Sequence, residues 1–294
     1  TYNFAYAPYH DQTKWLCNNF LTTGAVSNYA LYNYSTYNTG TNNQMSGNNF
    51  VSTGGGTGYL VYTYSAYLTN HNYNNYFTNA TYAIYYTYED RLIFDQNRIS
   101  NVLSTPTYGM YNYYVNRARF TRNNFAFKNG VSAYGFYING CNISQPTGAM
   151  MLYANNMISI GGTSSFSYGI YSTGNDQIDF RSNNMLISNP TTTAYATYWV
   201  NSSYSPYNNS FVGNSIVCNA GAKGPYNYST YTVACNYNNY YVTGSVFGNF
   251  NGTDYSSFSA YKTAAISNGR EGNSINVDPG YTSTTDLHVS NTAL

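Results

Sequence analysis

Tyr108-Gly109-Met110-Tyr111, then Asn123-Asn124-Phe125, then Tyr134-Gly135-Phe136-Tyr137: this stretch decides the fold. A tyrosine, a small residue, a bulky apolar residue and a second tyrosine return after 26 residues, with an asparagine pair and an aromatic between them. The same string stands at Tyr29-Ala30-Leu31-Tyr32, Tyr82-Ala83-Ile84-Tyr85 and Tyr168-Gly169-Ile170-Tyr171, with looser copies at Tyr59-Leu60-Val61-Tyr62 and Tyr195-Ala196-Thr197-Tyr198. Chance would supply the strict string roughly 0.2 times at this tyrosine frequency, so its recurrence marks an internal repeat. Successive first tyrosines are 30, 23, 26, 26, 34 and 27 residues apart.

The asparagine marker gives the same period. It stands at Asn18-Asn19-Phe20, Asn48-Asn49-Phe50, Asn74-Asn75-Tyr76, Asn123-Asn124-Phe125, Asn155-Asn156-Met157, Asn183-Asn184-Met185 and Asn238-Asn239-Tyr240. Single asparagines at Asn97 and Asn214 fill the two long gaps, and both markers keep a period near 27. Local texture favours strands over helices: segments are short, alternate apolar and polar as in Gln177-Ile178-Asp179-Phe180-Arg181, and are rich in tyrosine and threonine. Gly, Asn and Ser punctuate every unit. The chain is therefore expected to be all-β, a parallel β-helix of about ten coils over residues 1–276, followed by a closing segment at 277–294. Stacking at the strand spacing turns repeated residues into columns. Tyr82, Tyr108, Tyr134 and Tyr168 are expected in an aromatic ladder, and Asn97, Asn124, Asn156 and Asn184 in an amide ladder. The 34-residue step after Tyr134 predicts an extra loop within 145–149.

Composition narrows the function. Only 21 of 294 residues are charged and the net charge is +1, so no electrostatic footprint for nucleic acid exists. An aromatic content of 19% argues against simple disorder, and no apolar run approaches the length of a membrane helix. Four cysteines, Cys17, Cys141, Cys218 and Cys235, are too sparse for a disulfide scaffold and lack zinc-site spacing. Three ways of pairing all four are arithmetically open, and a single bridge such as Cys218 with Cys235 is another option.

The text changes at Asn276-Val277-Asp278-Pro279-Gly280-Tyr281-Thr282-Ser283-Thr284-Thr285-Asp286-Leu287-His288-Val289. This resembles the closing segment of right-handed parallel β-helix repeat proteins of bacterial cell surfaces, including adhesins exported by type IX secretion. The resemblance implies a right-handed solenoid, an extracellular or cell-surface location and a place as one module of a longer surface protein. It transfers no catalytic residue.

Charge gathers in one region. Nine of the 21 charges fall between Glu89 and Lys128: the acids Glu89, Asp90 and Asp95, and the bases Arg91, Arg98, Arg117, Arg119, Arg122 and Lys128. Arg91 and Arg117 both follow their coil's first tyrosine by nine residues, which makes them neighbours in one column beside Asp90 and Asn116. Arg91, Arg117, Arg119 and Arg122 are the candidate ligand-binding residues, suited to the carboxylates of a uronate polymer. A lyase would add calcium-binding acids, but Asp176 and Asp179 point to opposite faces of a strand. No acid pair is placed for glycoside cleavage. His10, His71 and His288 lie far apart in the repeat, and Gly54-Gly55-Gly56-Thr57-Gly58 lacks the lysine of a phosphate loop. The expectation is a non-catalytic structural or adhesive module without cofactor or metal. Its expected partners are flanking domains, identical subunits or cell-surface glycans. The alternative is a β-helix that binds or cleaves polysaccharide.

Overall fold

The computed structural model describes residues 5–8, 14–23, 28–35, 41–53, 58–65, 69–102, 107–128, 132–162, 166–191, 193–200, 209–227 and 233–292. Each coil contributes one strand to each of three parallel sheets. In the fifth coil these are Thr107–Tyr113, Arg119–Thr121 and Asn124–Phe127; in the sixth they are Ser132–Asn139, Met151–Ala154 and Met157–Gly161. Tyr108 pairs with Tyr134 in the first sheet, Phe120 with Tyr153 in the second and Phe125 with Ile158 in the third. The result is a parallel β-solenoid. Among the described residues it has nine complete coils and the first strand of a tenth, slightly short of the ten full coils expected.

The tyrosine string has a packing cause. Its two tyrosines are half-buried on the outside, while the small residue and the apolar residue between them both turn inward. At the small position the first sheet runs close to the third. A Cβ on Gly109 would stand 2.7 Å from Phe125, and one on Gly135 would stand 2.8 Å from Ile158 and 2.5 Å from the Gly169 carbonyl oxygen. Bulk there is excluded by overpacking. The interior is filled by columns: Phe94, Phe120, Tyr153, Phe180 and Phe211 from the second sheet, and Phe50, Phe77, Ile99, Phe125 and Ile158 from the third. The buried Tyr153 hydroxyl receives a hydrogen bond from Asn112 Nδ2 at 2.9 Å, so its polar end is paired.

On the outer face of the first sheet run two files of stacked tyrosines. Tyr82, Tyr108, Tyr134 and Tyr168 follow one another with centroids 4.6, 4.5 and 5.1 Å apart. The second file passes through Tyr85, Tyr111 and Tyr137 at 4.4 Å steps. Each ring's faces are covered by its neighbours in the file, so edges and hydroxyls meet solvent. Partial burial, reinforced by neighbouring phenols, pushes the hydroxyls of Tyr62, Tyr82 and Tyr168 up to about 12, and also raises Tyr111 and Tyr134. The unfolded chain ionises these groups near 10.0, before the folded one does. Their contribution to stability is therefore complete below about pH 10 and lost as pH rises toward 12. Denaturant unfolding at stepped pH, read with phenolate absorbance, should show a late ionisation that accompanies loss of stability. Simultaneous titration of all tyrosines near pH 10 with the fold intact would contradict it.

The amide ladder occupies the turn between the second and third sheets. That turn is two residues long: a residue at positive φ, such as Gln96 (55°), Arg122 (56°), Asn155 (56°) or Ser182 (55°), and then a ladder asparagine. Asn18, Asn48, Asn75, Asn97, Asn123, Asn156, Asn183, Asn214 and Asn238 form one continuous column. In every link the Oδ1 of one asparagine accepts from both the backbone N–H and the Nδ2 of the asparagine one coil earlier, as at Asn123 to Asn156 (3.0 and 2.9 Å). Asn97 and Asn156 are in the ladder as expected. Asn124 and Asn184 are not: they stand one residue later and face outward.

The extra loop lies between Asn139 and Met151, where Gln177 Nε2 donates to Gln145 O (3.0 Å) and Gly148 N–H donates to Gln177 Oε1 (2.8 Å). None of the open cysteine pairings is formed: all four thiols are free, and Cys218 and Cys235 enter the core from different sheets. Burial raises the Cys141 thiol to about 12 and raises Cys218 and Cys235 as well. The coils were expected to reach residue 276, but the last strand ends at Tyr255. Helix α1 (Phe258–Ile266) follows, capped by Ser257, and Tyr261 packs on Phe247 at 5.3 Å to cover the end of the core. The last ladder asparagine is capped there too: Asn238 N–H donates to Ser274 Oγ (3.0 Å) and Nδ2 to Glu271 Oε2 (3.3 Å).

Candidate functional site

Residues 277–292 turn back along the outer face of the third sheet. Tyr281 and Val289 pair antiparallel, so the segment forms a hairpin whose tip lies near Thr285. The outward asparagines that miss the ladder fasten it: Asn124 Nδ2 donates to Thr285 O (3.2 Å), Asn184 Nδ2 to Leu287 O (2.8 Å) and Asn239 Nδ2 to Val277 O (2.8 Å). Leu287 is fully buried against Leu186 and Val217, and the Tyr281 hydroxyl donates to Ser215 O at 2.7 Å. His288 is exposed and pairs through Nδ1 with Asp286.

Between the hairpin tip and the solenoid wall lies a groove of about 920 Å³. Its floor follows one row of paired positions, Tyr76, Arg98, Asn124, Met157 and Asn184, across five coils. Four strand spacings make it about 19 Å long. The Tyr76 side chain is prominent at 48% exposure, and the Arg98 guanidinium lies over its ring, 5.5 Å from the centroid. Among the described residues Arg98 has no ion pair. Arg122 reaches the groove from the turn, held by Asp95 (Nε to Oδ1 2.9 Å). Amides of Asn74, Gln96 and Asn155 complete the polar lining. On the rim, the contact with His288 holds the Asp286 carboxyl below the usual carboxylate range.

The four arginines singled out in the sequence do not converge. Arg91 and Arg117 are in neighbouring turns, as their spacing implies, but both engage Asp90: Arg117 through two nitrogens, with Nε at 2.7 Å from Oδ1, and Arg91 at 3.5 Å. The Asp90 hydrogen bond raises Arg117, which stays charged. Arg119 stands exposed on the second sheet, next to Ile93 and Leu152, and only Arg122 of the four lines the groove. A smaller hollow of about 300 Å³ beside Asp90 is lined by Tyr88 and Tyr114, stacked at 5.4 Å, but Asp90 is already engaged by arginine. Asp179 pairs with Arg181, and Asp176 accepts from the Gln177 N–H at 2.8 Å. Among the described residues no three His, Cys, Asp or Glu converge on one point. His71 sits on the second sheet beside Ile93, while His10 and residues 54–57 lie outside the described residues.

Comparison with known protein families, with curated proteins and with solved structures found no match to this chain. The parallel β-solenoid thus stands on the geometry above. The groove was missed in the sequence because its rim comes from residues 285–288 and its floor from coils about 100 to 210 positions earlier. Tyr76 and Arg98, one period apart, were the signal within the repeat.

Proposed function

We propose that this chain is a non-catalytic structural and adhesive module of a bacterial surface protein or fibre, held between flanking domains or identical subunits. The observation that carries this reading is that five acids among the described residues are already engaged. Asp90 and Asp95 are bound by arginines, Asp179 by Arg181, Asp254 by Lys223, and Glu271 accepts from Tyr240 and Ser274. Glycoside cleavage asks for two carboxyl groups free to face each other across a groove, whereas the carboxylate at this groove's rim is Asp286, tied to His288. The aromatic and amide residues form ladders that stiffen a rod, which suits a stalk. The closing segment Asp278-Pro279 to Asp286-Leu287-His288, which resembles that of surface β-helix proteins, supports the location.

Protease treatment of intact cells carrying the full-length protein tests the location: the module is expected to be cut from the outside, and complete protection would overturn a surface role. Incubation of the purified chain with a panel of polysaccharides tests the chemistry. No release of reducing or unsaturated ends is expected; their appearance would overturn the non-catalytic reading.

A further inference from the structure

We infer that the groove between the hairpin tip and the third sheet binds an extended, carboxylate-bearing oligosaccharide; this rests on the adhesive half of the reading above. Three observations bear on it. The first is the state of Arg98. Its guanidinium is exposed, lacks an acid partner among the described residues, and is laid over the Tyr76 ring. A planar fork held in one orientation suits bidentate recognition of a carboxylate. Arg122, one coil along and fixed by Asp95, adds a second guanidinium to the lining.

The second observation is the lining between the charges. Asn74, Asn155 and Ser182 line the groove with both donor and acceptor groups. Hydroxyl groups of a sugar require both, whereas a phosphate or a lone carboxylate accepts only. Tyr76 supplies the aromatic component.

The third is shape. The groove crosses five coils with its floor in one register, which fits a linear chain better than a single small molecule. The tyrosine files on the first sheet are less suited to this task, because their ring faces are already covered by each other.

The test uses the whole chain in titration calorimetry with a short oligouronate and with the same oligomer after reduction of its carboxyl groups to alcohols. The oligouronate should bind and the reduced one should bind at least about tenfold more weakly. Arg98→Ala should cost the oligouronate a similar factor, while Arg119→Ala, which removes the same charge from the second sheet, should change nothing. Asp286→Asn, which removes the acid on the rim, should tighten binding. No binding of either oligomer, equal binding of both, or indifference to Arg98→Ala would overturn the proposal. Equal binding of an oligoglutamate would overturn the saccharide assignment. Any of these failures with the module still cut from intact cells leaves a stalk without this site. Complete protection in the cell assay would instead remove the surface reading itself.

Discussion

Asn156→Ala should lower the free energy of unfolding by about 3–5 kcal/mol, enough to threaten the fold of a domain of ordinary stability. Asn156 Nδ2 donates to Asn183 Oδ1 (2.9 Å) and to Phe120 O (3.0 Å), while its Oδ1 accepts the N–H and Nδ2 of Asn123 (3.0 and 2.9 Å). Truncation leaves the Asn123 N–H and the Phe120 carbonyl without these partners in a site closed to water, and each orphaned group costs about 1–3 kcal/mol. The comparison is Asn124→Ala. That side chain faces outward and makes one bond to Thr285 O, so its loss should stay within about 1 kcal/mol. Urea unfolding of both variants decides the matter, and equal costs at the two positions would contradict the ladder's role.

Gly135→Val should be destabilising by at least about 3 kcal/mol, the upper end of overpacking effects. The added Cβ would fall 2.5 Å from the Gly169 carbonyl oxygen and 2.8 Å from Ile158 Cγ2. Backbone in the next coil cannot move aside without disturbing the ladders on either side of it. Gly161→Val is the control: the nearest atoms to its Cβ are 3.8 Å away, so ordinary packing receives it. A drop in unfolding midpoint at Gly135 and none at Gly161 is the expected pattern. A fully stable Gly135→Val would mean that the first sheet does not approach the third as described.

The repeat was legible because a solenoid converts periodicity into columns. Tyr82, Tyr108, Tyr134 and Tyr168 could be placed without knowing any long-range contact, and so could Arg91 and Arg117 as neighbours in adjacent coils beside Asp90 and Asn116. The amide ladder was legible in period but not in register. Asparagine serves at three successive positions, the two of the turn and the first of the next strand: at positive φ in Asn155, in the ladder in Asn156, and outward in Asn124. Asn155-Asn156 and Asn123-Asn124 therefore look alike but differ by one residue in register, which moved Asn124 and Asn184 into the wrong column. The cap was not legible, because Glu271 ends the ladder as a carboxylate where every preceding partner is an amide. The groove was hidden by sequence distance, since the bond from Asn124 to Thr285 joins residues 161 apart.

Side-chain amide hydrogen exchange measured by NMR tests most directly whether one column of amides binds the coils together. The Nδ2 protons of Asn97, Asn123, Asn156 and Asn183 should exchange only through global unfolding, with the same free energy that denaturant reports, while those of the exposed Asn155 exchange quickly. Ladder protons that exchange as fast as those of Asn155 in the native protein would contradict the account.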